Sequence, residues 1–222
     1  LYYYHIPKCG GTTIKHHLVD IFDSIGGKYY DYNSPMGQKF GLFSKIRNDI
    51  RLSIDLKRLT KKNADIKLVH HHHGFWGIGE ISDNLQSLKD HAKAQGCEFY
   101  IFTCIREPIS FQISRVNYLR NKDLDRNLDF EEVCLNSKQH NVMVKYLLYN
   151  HAKRWNGREP EMAIFNKSFN VFDQVFFVES MHNFEKWIQD IVGVPIPSSG
   201  RHENKSFHRI LPTKEQLVTL NE

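Results

Sequence analysis

The first fifteen residues limit the possible folds more than any other stretch. Tyr2-Tyr3-Tyr4-His5-Ile6 is a short aromatic and aliphatic run of the kind that makes a buried strand. Pro7 and the Gly10-Gly11 pair then impose a turn, and Thr12-Thr13 stand where a helix would begin. A strand, a glycine turn and a helix start together make an anion cradle. Glycines let backbone N–H groups approach closely, hydroxyls add donors, and the helix N-terminus carries partial positive charge. Lys8 brings a full charge to its mouth. The competing reading is an ordinary strand-turn-helix with a solvated lysine.

The cradle is not of the Walker type, in which the lysine follows the glycines and directly precedes the hydroxyl. Here the lysine comes first, so its ammonium would approach from the strand side. The order Pro7-Lys8-Cys9-Gly10-Gly11-Thr12-Thr13 resembles the 5′-phosphosulfate loop of sulfotransferases that use PAPS (3′-phosphoadenosine 5′-phosphosulfate), above all carbohydrate sulfotransferases of the heparan 2-O and 6-O type and their bacterial relatives. The resemblance implies that Lys8, Cys9, Gly10, Gly11, Thr12 and Thr13 bind the cofactor, with Lys8 also catalytic.

Two further stretches extend the resemblance. Asp65 to Val69 reads as a short strand that runs into His70-His71-His72-His73-Gly74-Phe75-Trp76-Gly77. An internal run of this kind is no purification tag. Adjacent residues on a strand point to alternate faces, so at most two of the four could converge on a metal ion. The family often ends such a strand in a histidine that serves as general base. Aligned on Phe75-Trp76-Gly77, that base is His73, and His71 falls on a second active-site histidine of some members. The chemistry suits an imidazole, which can accept the proton of a sugar hydroxyl near neutral pH.

Glu98 to Ile105 is the clearest buried strand in the chain, and it leads through Arg106-Glu107-Pro108 into a helix from Ile109 to Asn121. This resembles the family's 3′-phosphate motif, which implies Arg106 and Ser114 as the 3′-phosphate ligands. An arginine at a strand end can fork onto two phosphate oxygens. Taken alone, Arg106 would more simply pair with Glu107 or another carboxylate. Three motifs in the family's order are more specific than any one of them.

The remaining elements are read from periodicity. Helices are expected at Thr12–Phe22, Leu42–Leu59, Gly79–Gln95 (with Ser82 or Asp83 near its start) and Met181–Ile191, with a further strand over 173–178. Residues 28–41 read as a loop, and 122–165 as a helical insertion that helps to wall an acceptor cleft. Arg154, Trp155 and Arg158 there could touch an anionic or sugar acceptor, although a plain surface loop explains them as well. Near the C-terminus, a polar and basic loop resembles the segment that folds over the nucleotide in the family, and implies Arg201, Asn204, Lys205 and Ser206 as cofactor contacts.

Composition narrows the class. With 222 residues and 41% hydrophobic content, the chain can bury a sizeable core in a single domain. A formal charge of +5 suits an anionic ligand but falls short of a nucleic-acid signature. The four cysteines, Cys9, Cys97, Cys104 and Cys134, match no zinc template. Cys104 and Cys134 read as buried thiols, and Cys9 as a variable loop position rather than a nucleophile. No apolar run is long enough to span a bilayer and no signal peptide is seen. Few cysteines and no anchor suit a bacterial cytoplasm, and a trimmed Golgi-lumenal domain would look similar.

The expectation is therefore one α/β domain over 1–222, P-loop-like, with a largely parallel central sheet of strands near 1–6, 66–70, 98–105 and 174–178, flanked by helices. The resemblance implies a transferase that moves a sulfuryl group from PAPS to a hydroxyl, most simply on an oligosaccharide or glycan, releases PAP (adenosine 3′,5′-bisphosphate) and requires no metal. A P-loop-type nucleotide kinase and a non-catalytic nucleotide- or glycan-binding module are the alternatives. Acceptor identity and oligomeric state are not legible in the chain.

Overall fold

In the computed structural model, which describes residues 1–32, 66–72, 77–121, 129–136, 141–149, 162–195 and 211–221, the opening aromatic run is strand β1 (Tyr2–His5) and the glycine turn leads into helix α1 (Gly11–Ser24). Strands β2 (Lys28–Tyr32) and β3 (Lys67–His72) follow, then α2 (Ile78–Ala94), β4 (Ile101–Ile105) and α3 (Pro108–Asn121). Short helices α4 (Phe130–Leu135), α5 (Val142–Leu148) and α6 (Met162–Phe169) precede β5 (Gln174–Phe177), α7 (Met181–Val192) and α8 (Lys214–Asn221). The five strands form one parallel sheet in the order β2-β3-β1-β4-β5. This is the expected α/β, P-loop-like architecture.

The period of two along β1 explains how the sheet is covered. Tyr2 and Tyr4 face a core that includes Ile78, Ile81 and Leu85 of α2, Phe111 of α3, and Val142 and Leu147 of α5. Tyr3 faces the other side, where Ile14, Leu18, Ile21 and Phe22 of α1 meet Phe184, Ile188 and Val192 of α7. Both faces are buried, as a parallel sheet requires. The β1-α1-β2 crossover moves one way across the sheet, and the connections leaving β3 and β4 move the other way. Crossovers of one hand that run in opposite directions land on opposite faces, which is where α1 and α2 lie.

Two expectations change. Residues 28–32 are not loop but the edge strand β2, in register with β3 from Lys28 opposite Lys67 to Tyr32 opposite His71. Tyr29, Tyr30 and Tyr32 are strong strand formers, and they outweigh the polar character of the stretch. The helix expected over Gly79–Gln95 is α2, with Ser82 and Asp83 in its second turn: Ser82 is buried, and Asp83 pairs with Lys167 of α6 at 2.8 Å. Strand β4 begins at Ile101, with residues 98–100 outside it. Of the expected insertion, α4 and α5 are seen and α6 starts at its end, while the expected helix at Leu42–Leu59 and the residues Arg154, Trp155 and Arg158 lie outside the described residues. Pro108 is the first residue of α3, the place its ring favours. No helix among the described residues is long and apolar enough to cross a membrane.

Phe102 holds the α7 side of the core together. Its fully buried ring stacks on Tyr3 at 5.0 Å and meets Phe184 at 5.8 Å and Trp187 at 5.2 Å. Phe102→Ala should cost about 3–5 kcal/mol in urea denaturation, because a rigid cluster of rings cannot close over the cavity. A loss under about 1 kcal/mol would mean that the core is looser than these contacts require.

Candidate functional site

Sheet topology selects one place for a ligand. The connection from β1 leaves towards β2, whereas the connection from β4 leaves towards β5. The carboxyl ends of β1 and β4 therefore border the point where the winding reverses, the place where open α/β sheets form a crevice. The Lys8-Cys9-Gly10 loop follows β1, and Arg106-Glu107 follows β4.

Gly10 caps α1 in the left-handed conformation at φ +70°, which glycine adopts without strain. It has no side chain to reach the first-turn amides, so that end of α1 keeps its donors for another acceptor. Gly11 is needed for a different reason. A Cβ there would fall 1.5 Å from His5 Nε2, so only a glycine lets α1 start directly above the imidazole of β1. Lys8 is also left-handed, at φ +66°, a conformation that costs a side-chain-bearing residue energy and that this loop imposes. Thr12 and Thr13 sit half-buried in the first turn of α1.

The two loops touch. Arg106 Nη1 donates to the Lys8 carbonyl at 3.4 Å, and Arg106 Nε lies 3.7 Å from Glu179 Oε1. The carboxylate that meets Arg106 is Glu179, just past β5, and the Arg106 charge also acts on the neighbouring Glu107. The Lys8 ammonium stands 4.2 Å from the centre of the Tyr118 ring, a cation–π contact. Burial, then repulsion from Arg106, brings the Lys8 ammonium down to about 8. Tyr118 is one turn beyond Ser114 on α3, so Ser114 shares the helix face that meets Lys8.

The two helix starts are used differently. Glu107 accepts from the amides of Ile109 and Ser110 at 2.9 and 2.6 Å, so the first turn of α3 already holds an anion of its own. Burial alone would raise the Glu107 carboxyl, but those amide bonds bring it below the usual range. An external anion at the second loop would therefore meet side chains, Arg106 and Ser114, rather than helix amides.

Cys9 points away from the crevice. It is buried in the α2-side core with its Sγ 3.7 Å from Met143 Sδ, and burial pushes its thiol far up, so it is no thiolate nucleophile. Only its backbone is left for the loop. Cys104 is buried as expected, and Cys97 is partly exposed.

The histidines separate. His70 turns towards α1, where its Nε2 lies 3.1 Å from His5 Nδ1 and its Nδ1 lies 2.9 Å from Asp31 Oδ1. His71 turns to the opposite face, is 2% exposed, and shares a hydrogen bond between its Nδ1 and the Tyr2 hydroxyl. It stands edge-on to Tyr2 and Tyr4 and packs in the core. His73, with Arg201, Asn204, Lys205 and Ser206, lies outside the described residues. Sequence reasoning did not single out His5, His70, Asp31 or Glu179 as site neighbours. The alternation of β1 and β3 could have paired His5 with His70, since both occupy the Tyr3 face. Nothing in the sequence announced β2, and so nothing announced Asp31.

The structure thus defines an α/β protein with a cationic, glycine-turned loop at the reversal point of its sheet. The chain matches no protein-family model and no curated protein.

Gly11→Ala should lower stability by about 2 kcal/mol or more, the usual cost of forcing atoms into a packed site. The double variant His5→Ala/Gly11→Ala should lose clearly less than the sum of its parts in urea denaturation. Strict additivity would show that the two residues do not press on one another.

Proposed function

We propose that the chain is a PAPS-dependent sulfotransferase that moves a sulfuryl group to a hydroxyl, most simply that of a carbohydrate. The contact that carries this reading is the one between the loops, Arg106 Nη1 on the Lys8 carbonyl at 3.4 Å. It brings two cationic loops, one from each strand end, to one rim of the sheet, which suits a ligand with two separated anionic groups. The motif order around Lys8 and Arg106 supports PAPS over other such ligands.

Each residue then has a physical task. Lys8 and the backbone amides from Gly10 to Thr13 stabilise charge that gathers on the bridging oxygen and the 5′-phosphate as sulfur is transferred. Arg106 forks onto the 3′-phosphate with the Ser114 hydroxyl beside it. His73 takes the proton of the acceptor hydroxyl as its oxygen attacks sulfur in line, and PAP leaves. Arg201, Asn204, Lys205 and Ser206 cover the nucleotide in this reading. No metal is assigned a role.

Titration calorimetry with PAP, and separately with ATP and Mg²⁺, tests the cofactor. PAP should bind without metal, and Arg106→Ala should weaken it about 10- to 100-fold, the range for a lost charge-assisted hydrogen bond. A preference for Mg-ATP would favour a nucleotide kinase instead. His73→Ala should keep PAP binding and lose turnover, whereas unchanged turnover would remove it as the base.

Lys8 sets a pH dependence with two opposite signs. PAP affinity should hold below pH 8 and fall as Lys8 loses its proton above about 8. Stability should rise over the same interval, because the unfolded lysine still holds the proton that the folded one gives up. Lys8→Met should abolish both effects in calorimetry and in denaturation at pH 7 and 9. Persistence of both in that variant would assign them to another group.

A further inference from the structure

Lys15, Lys89 and Lys167 each end on a carboxylate, that of Asp31, Asp173 and Asp83 in turn. Lys8 differs. Among the described residues its ammonium meets no carboxylate, and it stands 4.2 Å from the centre of the Tyr118 ring. The carboxylates that follow β4 and β5 are engaged elsewhere. Glu107 holds the amides of Ile109 and Ser110, while Glu179 faces Arg106 and accepts from the Glu107 amide at 3.3 Å.

A ring differs in kind from a carboxylate as a partner for this lysine. A carboxylate would neutralise the ammonium and repel an arriving anion. A ring face attracts the ammonium through its quadrupole, carries no net charge, and leaves N–H donors of the ammonium for another acceptor. Burial and Arg106 both work against the charge on Lys8. The ring works in its favour.

The helix that carries Tyr118 fixes where it points. Pro108 starts α3 directly after Arg106, and Phe111, seven residues before Tyr118, is buried in the α2-side core. Residues seven apart share a helix face, so the anchoring of Phe111 also sets the direction of Tyr118. Tyr118 is half-buried, and its hydroxyl has no hydrogen-bond partner among the described residues, so the ring face is what it contributes. Lys8 is thus held at both ends by one unit of the fold. Arg106 Nη1, at the end of β4, takes its carbonyl at 3.4 Å, and Tyr118 of α3 takes its ammonium.

We propose that Tyr118 is a positioning residue of the anion loop: its ring face holds the Lys8 ammonium in place without neutralising it, and so raises the affinity of the loop for an anion. The gain is preorganisation. A free lysine side chain loses much rotamer freedom when an anion fixes it, whereas an ammonium already settled over a ring has less to lose.

The inference rests on the loop taking an anion, and it holds whether or not that anion is PAP. The test is NMR of the full chain with ¹³C-labelled lysine, with Lys8 assigned through Lys8→Met. Inorganic sulfate and PAP are titrated separately below pH 8, where the ammonium keeps its proton. In the free chain the ring current should move the Lys8 Hε protons upfield; Tyr118→Phe should keep that shift and Tyr118→Leu should lose it. Sulfate affinity should be kept in Tyr118→Phe and fall about 2- to 30-fold in Tyr118→Leu, the range of a cation–π contact. Phenylalanines with one, two and three ring fluorines at position 118 should lower it step by step, because fluorine withdraws charge from the ring face and barely changes its shape. A residue that merely filled space would show no such gradient. An unshifted Lys8 Hε in the free chain, or an affinity that stays flat or rises along the fluorine series, would each overturn the inference. Failure of both anions to bind would overturn it as well. A graded loss with sulfate and no binding of PAP would uphold it and sink the sulfotransferase reading instead.

Discussion

Two cations that repel one another are held together at the carboxyl ends of β1 and β4, and the site depends on that arrangement. Lys8 is partly desolvated, stands in a left-handed backbone conformation, and loses proton affinity to Arg106 beside it. A stable fold would ordinarily avoid all three costs. They are only partly offset, by the Tyr118 ring beneath the ammonium and by Glu179 beside the guanidinium. Positive charge kept in this way favours whatever negative charge arrives. Strain and perturbed ionisation gather at functional sites for the same reason.

The sheet is what makes the two cations neighbours. Ninety-eight residues separate Lys8 from Arg106 in the chain. Their strands are adjacent because β1 is central, with Tyr2 opposite Val69 on one side and Ile101 on the other. Parallel pairing brings both carboxyl ends to one rim. The close seating of α1 on His5, possible only with glycine at 11, then aims the helix amides at the same place.

The parts of this arrangement that were legible in the sequence are local. The run Tyr2–Ile6, the Gly10-Gly11 turn and the Arg106-Glu107-Pro108 junction each carry their meaning within a dozen residues, through hydrophobic period and turn chemistry. Strand β2 was not legible, because Lys28-Tyr29-Tyr30-Asp31-Tyr32 follows two glycines and alternates tyrosine with charge only loosely. Its strand character is settled by pairing with β3, which is non-local. Tyr118 shows the same limit: the helix was readable, but the lysine over its ring comes from a loop far away in the sequence. Glu179 directly follows the strand expected over 173–178, and its pairing with Arg106 depends on β5 lying beside β4.

The histidine run shows why composition misleads where register decides. Four adjacent imidazoles suggest a cluster, but a strand sends neighbours to opposite faces. His70 and His71 are next to each other in sequence and lie on opposite faces of the sheet: one bonds His5 and Asp31 beneath α1, the other bonds Tyr2 among the rings of the opposite core. What gives His70 its chemistry is a carboxylate one strand away and an imidazole one strand away on the other side. In a parallel sheet, a side chain's partners come from the strands beside it, so a polar chain can cross three strands although its members are far apart in sequence. Such a chain costs little only if every member is paired, and here the pairing runs without a break from Lys15 to His5. That continuity is the physical reason for treating the buried His5 and His70 and the more exposed Asp31 and Lys15 as one unit rather than as separate residues.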